Sequence, residues 1–136
     1  MKKHISIKNS FYKKKSITYL KKLLWTKYFT PFIKARDKGI CFTCGQVQSG
    51  KGLHCGHYIP KKIGGNLLYF NELNVHCQCF HCNINLGGYG AMYHINMIKK
   101  YGQLLVDCLW KAKTRGKGGF TKKELIRLID KYSKKK

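Results

Sequence analysis

Acidic residues are scarce in this 136-residue chain: five Asp and Glu stand against 28 Lys and Arg, a net charge of +23. Such an excess of one sign repels itself in a compact state unless a polyanion neutralises it. Nucleic acid is therefore the expected partner, and an anionic membrane surface is the weaker reading. Position two is Lys2 rather than the glycine that myristoylation requires, and no C-terminal lipidation box is present. No apolar run approaches the roughly 18 residues of a membrane span. Residues 1–15 are basic with no apolar stretch behind them, so no secretory leader is expected. Proline is almost absent, and Pro31 falls inside a helical run, where Thr30-Pro31 marks either a restarted helix or a kink.

Cysteine is plentiful by contrast. Seven of them, an odd number in a chain with no secretion signal, favour metal ligation over a disulfide framework. Cys41-Phe-Thr-Cys44 and Cys79-Phe-His-Cys82 are two Cys-x-x-Cys knuckles, each of which places two sulfurs on one side of an ion. Together they make the tetrahedral donor set of a structural Zn²⁺. Cys77 has the wrong spacing to Cys79 for a knuckle, and Cys108 lies on a helical stretch where a core position is expected.

The periodicity predicts a Lys-rich arm over 1–15 and a single domain over 16–136. That domain comprises a helix over 17–37, a metal-bearing core over 39–88 and C-terminal helices over 89–133. Residues 53–59 read as a strand, and its return partner is either 67–70 or 75–78. Thr121-x-x-Glu124 is a capping box that opens the last helix, with Leu125, Leu128, Ile129 and Tyr132 as its apolar stripe.

Between the knuckles lie His54-Cys55-Gly56-His57 and Asn74-Val75-His76-Cys77-Gln78, and Asn83 follows the last knuckle cysteine. Two imidazoles and two amides suit metal-assisted hydrolysis. A neutral imidazole takes a proton from water near neutral pH, and an oxygen-ligated cation stabilises charge on a phosphate and its leaving oxygen. His76 alternates with Gln78 and faces either this site or the zinc; His81 reads as a surface residue.

The chain here resembles the HNH (ββα-metal) nucleases, and more closely the lambdoid NinG/Rap recombination-protein family. The resemblance rests on Arg36-Asp37-Lys38 ahead of Cys41-x-x-Cys44, on His54-x-Gly56-His57-Tyr58, and on Asn74-x-His76-x-Gln78-Cys79-x-x-Cys82-Asn83. It covers roughly 36–90 and is specific as a combination. The arrangement is also similar to phage endonuclease seven, a junction resolvase whose metal-binding Asn follows its last zinc cysteine. The resemblance implies an α+β fold, a small zinc-stabilised ββα-metal core flanked by α-helices. It implies a DNA endonuclease, acting in a phage setting in the host cytoplasm on branched, Holliday-junction-like recombination intermediates.

By the same resemblance His57 is the general base, Asn83 a ligand of a catalytic Mg²⁺ or Mn²⁺, and Asn74 the residue that braces the loop between the strands. His54 assists in phosphate or metal binding. One position departs from the pattern: many HNH proteins carry Asp or His as a metal ligand just before the catalytic histidine, and here that position is Gly56. Two nicks are needed to resolve a junction, which makes a homodimer the natural hypothesis.

Lys51, Lys61 and Lys62 flank the candidate strand, and Lys111, Lys113, Arg115 and Lys117 form a second basic cluster. Such charges are expected to hold the DNA backbone and not to read bases. Two alternatives stand beside the resolvase reading: an HNH nicking enzyme for ordinary duplex, and a non-catalytic zinc protein that binds nucleic acid, which Gly56 favours.

Overall fold

The computed structural model describes residues 9–113 and 119–135. They fall into two compact units, Met1–Phe32 with Phe120–Lys136, and Ile33–Gly119.

In the first unit the Ser16 hydroxyl accepts the N–H of Tyr19 at 3.1 Å and starts helix α1, Ile17–Leu23. A π-helical turn, Leu24–Phe29, carries the path into α2, Thr30–Arg36, so the helix neither stops nor restarts at Pro31. Proline lacks the N–H that would bond four residues back, and its ring crowds that carbonyl. One wider turn just ahead of it accommodates both. In the same unit the final helix, labelled α7 below, spans Lys122–Ser133. Thr121 and Glu124 cap it reciprocally: the Thr121 hydroxyl accepts the N–H of Glu124 at 3.2 Å, and the Glu124 carboxylate accepts that of Thr121 at 2.9 Å. Leu125, Ile129 and Tyr132 are buried, and the Tyr132 ring meets Phe29 edge-on at 5.1 Å.

The second unit is built on a hairpin. Strand β1, Leu53–His57, pairs antiparallel with β2, Val75–Cys79, in the register Leu53↔Cys79, Cys55↔Cys77 and His57↔Val75. Of the two candidate return strands, 75–78 is the one that pairs. The other, 67–70, falls on helix α4, Asn66–Tyr69, and its C-cap Phe70; α4 follows the short α3, Lys61–Gly64, in the connection. A π-helical turn, His81–Asn85, follows β2. Helices α5, Gly90–Tyr101, and α6, Gln103–Ala112, complete the unit. Tyr58, Ile59, Leu68, Tyr93, Met97, Val106 and Leu109 form its core. The chain is thus a mixed α+β protein with a small two-stranded sheet.

Every residue of β2 is buried. Among the described residues no third strand pairs with its outer edge; side chains and a loop close it instead. Asp37 accepts the N–H of Cys77 at 2.8 Å, Phe42 N–H donates to the Cys77 carbonyl at 2.8 Å, and Arg36 donates to the Val75 carbonyl at 2.8 Å. A sheet edge left bare would expose the same groups to pairing with another chain.

Cys108 is exposed, not a core residue. Helix α6 buries Val106 and Leu109, three residues apart, and Cys108 falls outside that stripe. No helix among the described residues is long and apolar enough to cross a membrane.

Candidate metal centre and hairpin site

The two knuckles converge. The Sγ atoms of Cys41, Cys44, Cys79 and Cys82 all lie within 4.8 Å of one another, and Cys44 Sγ stands 3.8 Å from Cys79 Sγ. A tetrahedron with Zn–S bonds of about 2.3 Å has edges of about 3.8 Å, so the donors and their spacing fit a metal such as zinc. The first knuckle is shaped by backbone bonds: Cys41 N–H donates to the Gln46 carbonyl and Gly45 N–H to that of Cys41, both at 2.8 Å.

The thiols differ in acidity. Burial pushes Cys41 up, but hydrogen bonds from the Thr43 side chain and from backbone N–H groups outweigh it and bring the thiol down to about 6. Burial pushes Cys82 up to about 12, and burial raises Cys44 as well. One thiolate can thus form, while four crowded together need a cation.

Beside this centre, one face of the hairpin carries His54, Gly56, His76 and Gln78, as the two-residue strand period requires. His54 Nε2 is 3.2 Å from the Lys51 carbonyl, and His54 Nδ1 is 3.1 Å from the Asn83 side-chain nitrogen. A carbonyl can only accept, so Nε2 carries the proton. In the neutral ring Nδ1 then accepts the Asn83 NH₂, which turns Asn83 Oδ1 toward Gly56. A Cβ placed on Gly56 would lie 1.9 Å from Gln78 Oε1 and 3.0 Å from Asn83 Oδ1. Glycine is thus the residue that lets both amides close over the strand. Gln78 itself is fully buried; its Nε2 donates to the Gly88 carbonyl at 2.8 Å and to Thr43 Oγ1 at 3.2 Å. Gln78 Oε1 has no hydrogen-bond partner among the described residues. An orphaned buried oxygen next to a second amide oxygen fits a hard, oxygen-seeking cation such as Mg²⁺ or Mn²⁺.

His57 is anchored separately. Its Nε2 is 2.8 Å from the Tyr69 carbonyl, which assigns the proton to Nε2 and leaves Nδ1 as the basic nitrogen. Burial, with the Lys61 charge nearby, outweighs the Tyr69 bond and holds the imidazole down at about 4, neutral near pH 7. Asn74, fully buried, spans the interstrand connection. Its Oδ1 accepts the Ile59 N–H at 2.8 Å, and its Nδ2 donates to the carbonyls of Leu68 and Ile59 at 2.9 and 3.1 Å. His76 lies between two tyrosine hydroxyls, Tyr93 at 3.0 Å and Tyr101 at 2.7 Å, and stacks on Phe42. The structure therefore joins His54 to Asn83 and gives His57, Asn74 and His76 partners of their own. His81 is exposed.

Lys51, Lys61, Lys62, Lys111 and Lys113 are all exposed. Lys61 lies over the Tyr69 ring and Lys113 over Trp110. Arg115 and Lys117 lie outside the described residues. A groove of about 570 Å³ in the first unit, lined by Lys13, Lys122, Lys123 and Arg127, is a basic surface that the sequence reading missed. The spacing of Lys123 and Arg127 on one helix face was its available signal. A cleft of about 630 Å³ opens beside the first knuckle between Lys38, Phe42 and Lys100, and His54, His57 and Asn83 do not line it.

Comparison with known proteins gives one family. Residues 2–136 match the family described as Bacteriophage Lambda NinG protein. Over 77 residues the chain is 36% identical to Protein ninG of Escherichia phage lambda, 35% to that of Escherichia phage 933W and 34% to that of Salmonella phage P22. Each match covers 56% of this chain and 37% of the relative, so the chain aligns with little more than a third of each relative's length. No solved structure matches.

Proposed function

Taking as premise that the chain belongs to the NinG family, we propose that it is a metal-dependent DNA endonuclease of HNH type that cuts branched recombination intermediates. The observation that carries this is the His54–Asn83 contact over Gly56, on a hairpin followed by a helical turn, with the four-cysteine centre at its base. That order of strand, strand and helical turn supports the ββα reading that the sequence resemblance implies. The net charge of +23 supports a polyanionic substrate.

In this reading the four cysteines hold a structural Zn²⁺ that pins β2 to the first knuckle. Asn83 would hold a divalent cation, which when bound would supply charge stabilisation at the scissile phosphate and the leaving 3′-oxygen. His57, neutral and held through Nε2 by the Tyr69 carbonyl, accepts the proton of the attacking water at Nδ1. His54 fixes the Asn83 amide, and Asn74 holds the connection that carries the Tyr69 anchor. Exposed lysines hold the phosphate backbone, and a second copy of the chain makes the second nick.

The test is incubation of the protein with a labelled four-way junction and with matched duplex, in Mg²⁺ or in EDTA, beside His57→Ala. Metal-dependent nicks confined to the junction and lost in the variant are expected. Equal cutting of duplex would indicate a nicking enzyme instead. Tight binding with no product in Mg²⁺ or Mn²⁺ would leave a zinc-containing DNA-binding protein, the reading that the missing carboxylate at Gly56 favours.

A further inference from the structure

We propose that Gln78 is a ligand of the catalytic divalent cation, its side-chain oxygen standing with that of Asn83 over Gly56. The inference rests on the nuclease reading above and extends it to a residue on the opposite strand.

Three observations carry it. First, the amide of Gln78 is oriented: Nε2 donates to the Gly88 carbonyl and to Thr43, so Oε1 must point the other way. Second, Oε1 is buried and finds no donor among the described residues. A buried carbonyl oxygen without a partner is destabilising, and proteins hold such groups where something other than a protein donor meets them. Third, the direction is specific. Gln78 Oε1 and Asn83 Oδ1 both lie within 3.0 Å of one point, the place a Cβ on Gly56 would take. Two amide oxygens turned toward one place, neither able to donate a hydrogen to the other, suit a shared cation, and Mg²⁺ takes oxygens at about 2.1 Å.

The absence of a side chain at position 56 is then part of the design. Gln78 reaches across the H-bonded pair of strands into the volume that a residue-56 side chain would need. His54 acts through Asn83 as a positioning residue, because its Nδ1 holds the Asn83 NH₂ and so turns Oδ1 inward. All these donors are neutral, so the remaining charge balance at the site would come from the DNA phosphate.

The test is Mn²⁺ titration of the zinc-loaded protein, read by electron paramagnetic resonance, with zinc content and circular dichroism recorded for each variant. Gln78→Met keeps the side chain's length and removes the oxygen; it should weaken Mn²⁺ binding at least about tenfold, as should Asn83→Ala. Gly56→Asp alone should also lose binding, since its side chain collides with Gln78. The pair Gly56→Asp with Gln78→Ala should regain it, the new carboxylate filling the vacated place. A folded Gln78→Met with wild-type affinity, while Asn83→Ala loses it, overturns the role of Gln78 and leaves the nuclease reading standing. Wild-type affinity in both variants overturns the two together. Should Gln78→Met fail to fold, the double variant decides: recovered binding supports the proposal, and a folded protein without binding overturns it.

Discussion

Asp37 and Cys77 lie forty residues apart, yet the Asp37 carboxylate accepts the Cys77 N–H at 2.8 Å and closes the free edge of β2. The same carboxylate pairs with Arg36, Nε to Oδ1 at 2.7 Å, and Arg36 continues to the carbonyls of Val75 and Glu72. Burial alone would raise the Asp37 carboxyl; the Arg36 pair and the Cys77 N–H outweigh it and hold the group below its ordinary range. Removing the carboxylate leaves a buried N–H and half of an ion pair. Asp37→Ala should therefore cost about 3 kcal/mol in urea unfolding followed by circular dichroism. A loss below about 1 kcal/mol would mean that the clamp adds no more than a surface ion pair.

Asn74 makes three buried hydrogen bonds from one side chain. Asn74→Ala strands the Ile59 N–H and two carbonyls, and should cost about 2–4 kcal/mol. Because those bonds hold the connection that carries Tyr69, the proposed cleavage should fall further than stability does when both are measured at a temperature where the variant is folded.

The four-cysteine centre should hold one zinc per chain by elemental analysis. Cys82→Ser should lower that stoichiometry, and Co²⁺ substitution should give the intense visible bands of a tetrahedral thiolate site. Metal binding and folding are one equilibrium where the ligands come from distant segments. Chelation should therefore lower the melting temperature of the wild type, and a melting temperature indifferent to chelation would argue against a structural metal.

Acid should destabilise the second unit through His57 and His76. Burial, the main cause, holds the first at about 4 and the second at about 3. Unfolded, both titrate near 6.5. Below that pH the unfolded chain takes up protons that the folded chain refuses, so stability declines with falling pH. The contribution is complete above about 6.5 and is lost down to about 4 for His57 and about 3 for His76. Melting temperatures recorded from pH 7 to pH 4 should fall more steeply for the wild type than for His76→Gln; parallel curves would show that His76 does not titrate in this way.

DNA affinity should fall linearly with the logarithm of salt concentration. Each lost phosphate contact reduces the slope by about 0.9. Lys123→Ala with Arg127→Ala tests the groove of the first unit, and Lys62→Ala tests the exposed lysine on α3. An unchanged slope in either variant removes that surface from the interface.

Local pattern alone determined much of this protein. The two Cys-x-x-Cys spacings named the four sulfurs that the fold gathers, and Thr121 with Glu124 announced the last helix. Both are signals between residues within one turn of chain, where sequence separation and spatial distance nearly coincide. Tertiary structure decided the rest. Which segment returned as β2 and where Cys108 faced depended on packing against distant residues. Gly56 shows the difference most clearly: in the sequence it is a missing ligand, and in the fold it is the space into which Gln78 and Asn83 close. That space exists only when β1 pairs with β2 in one register, and register is set by burial of whole faces, which no short stretch of sequence contains.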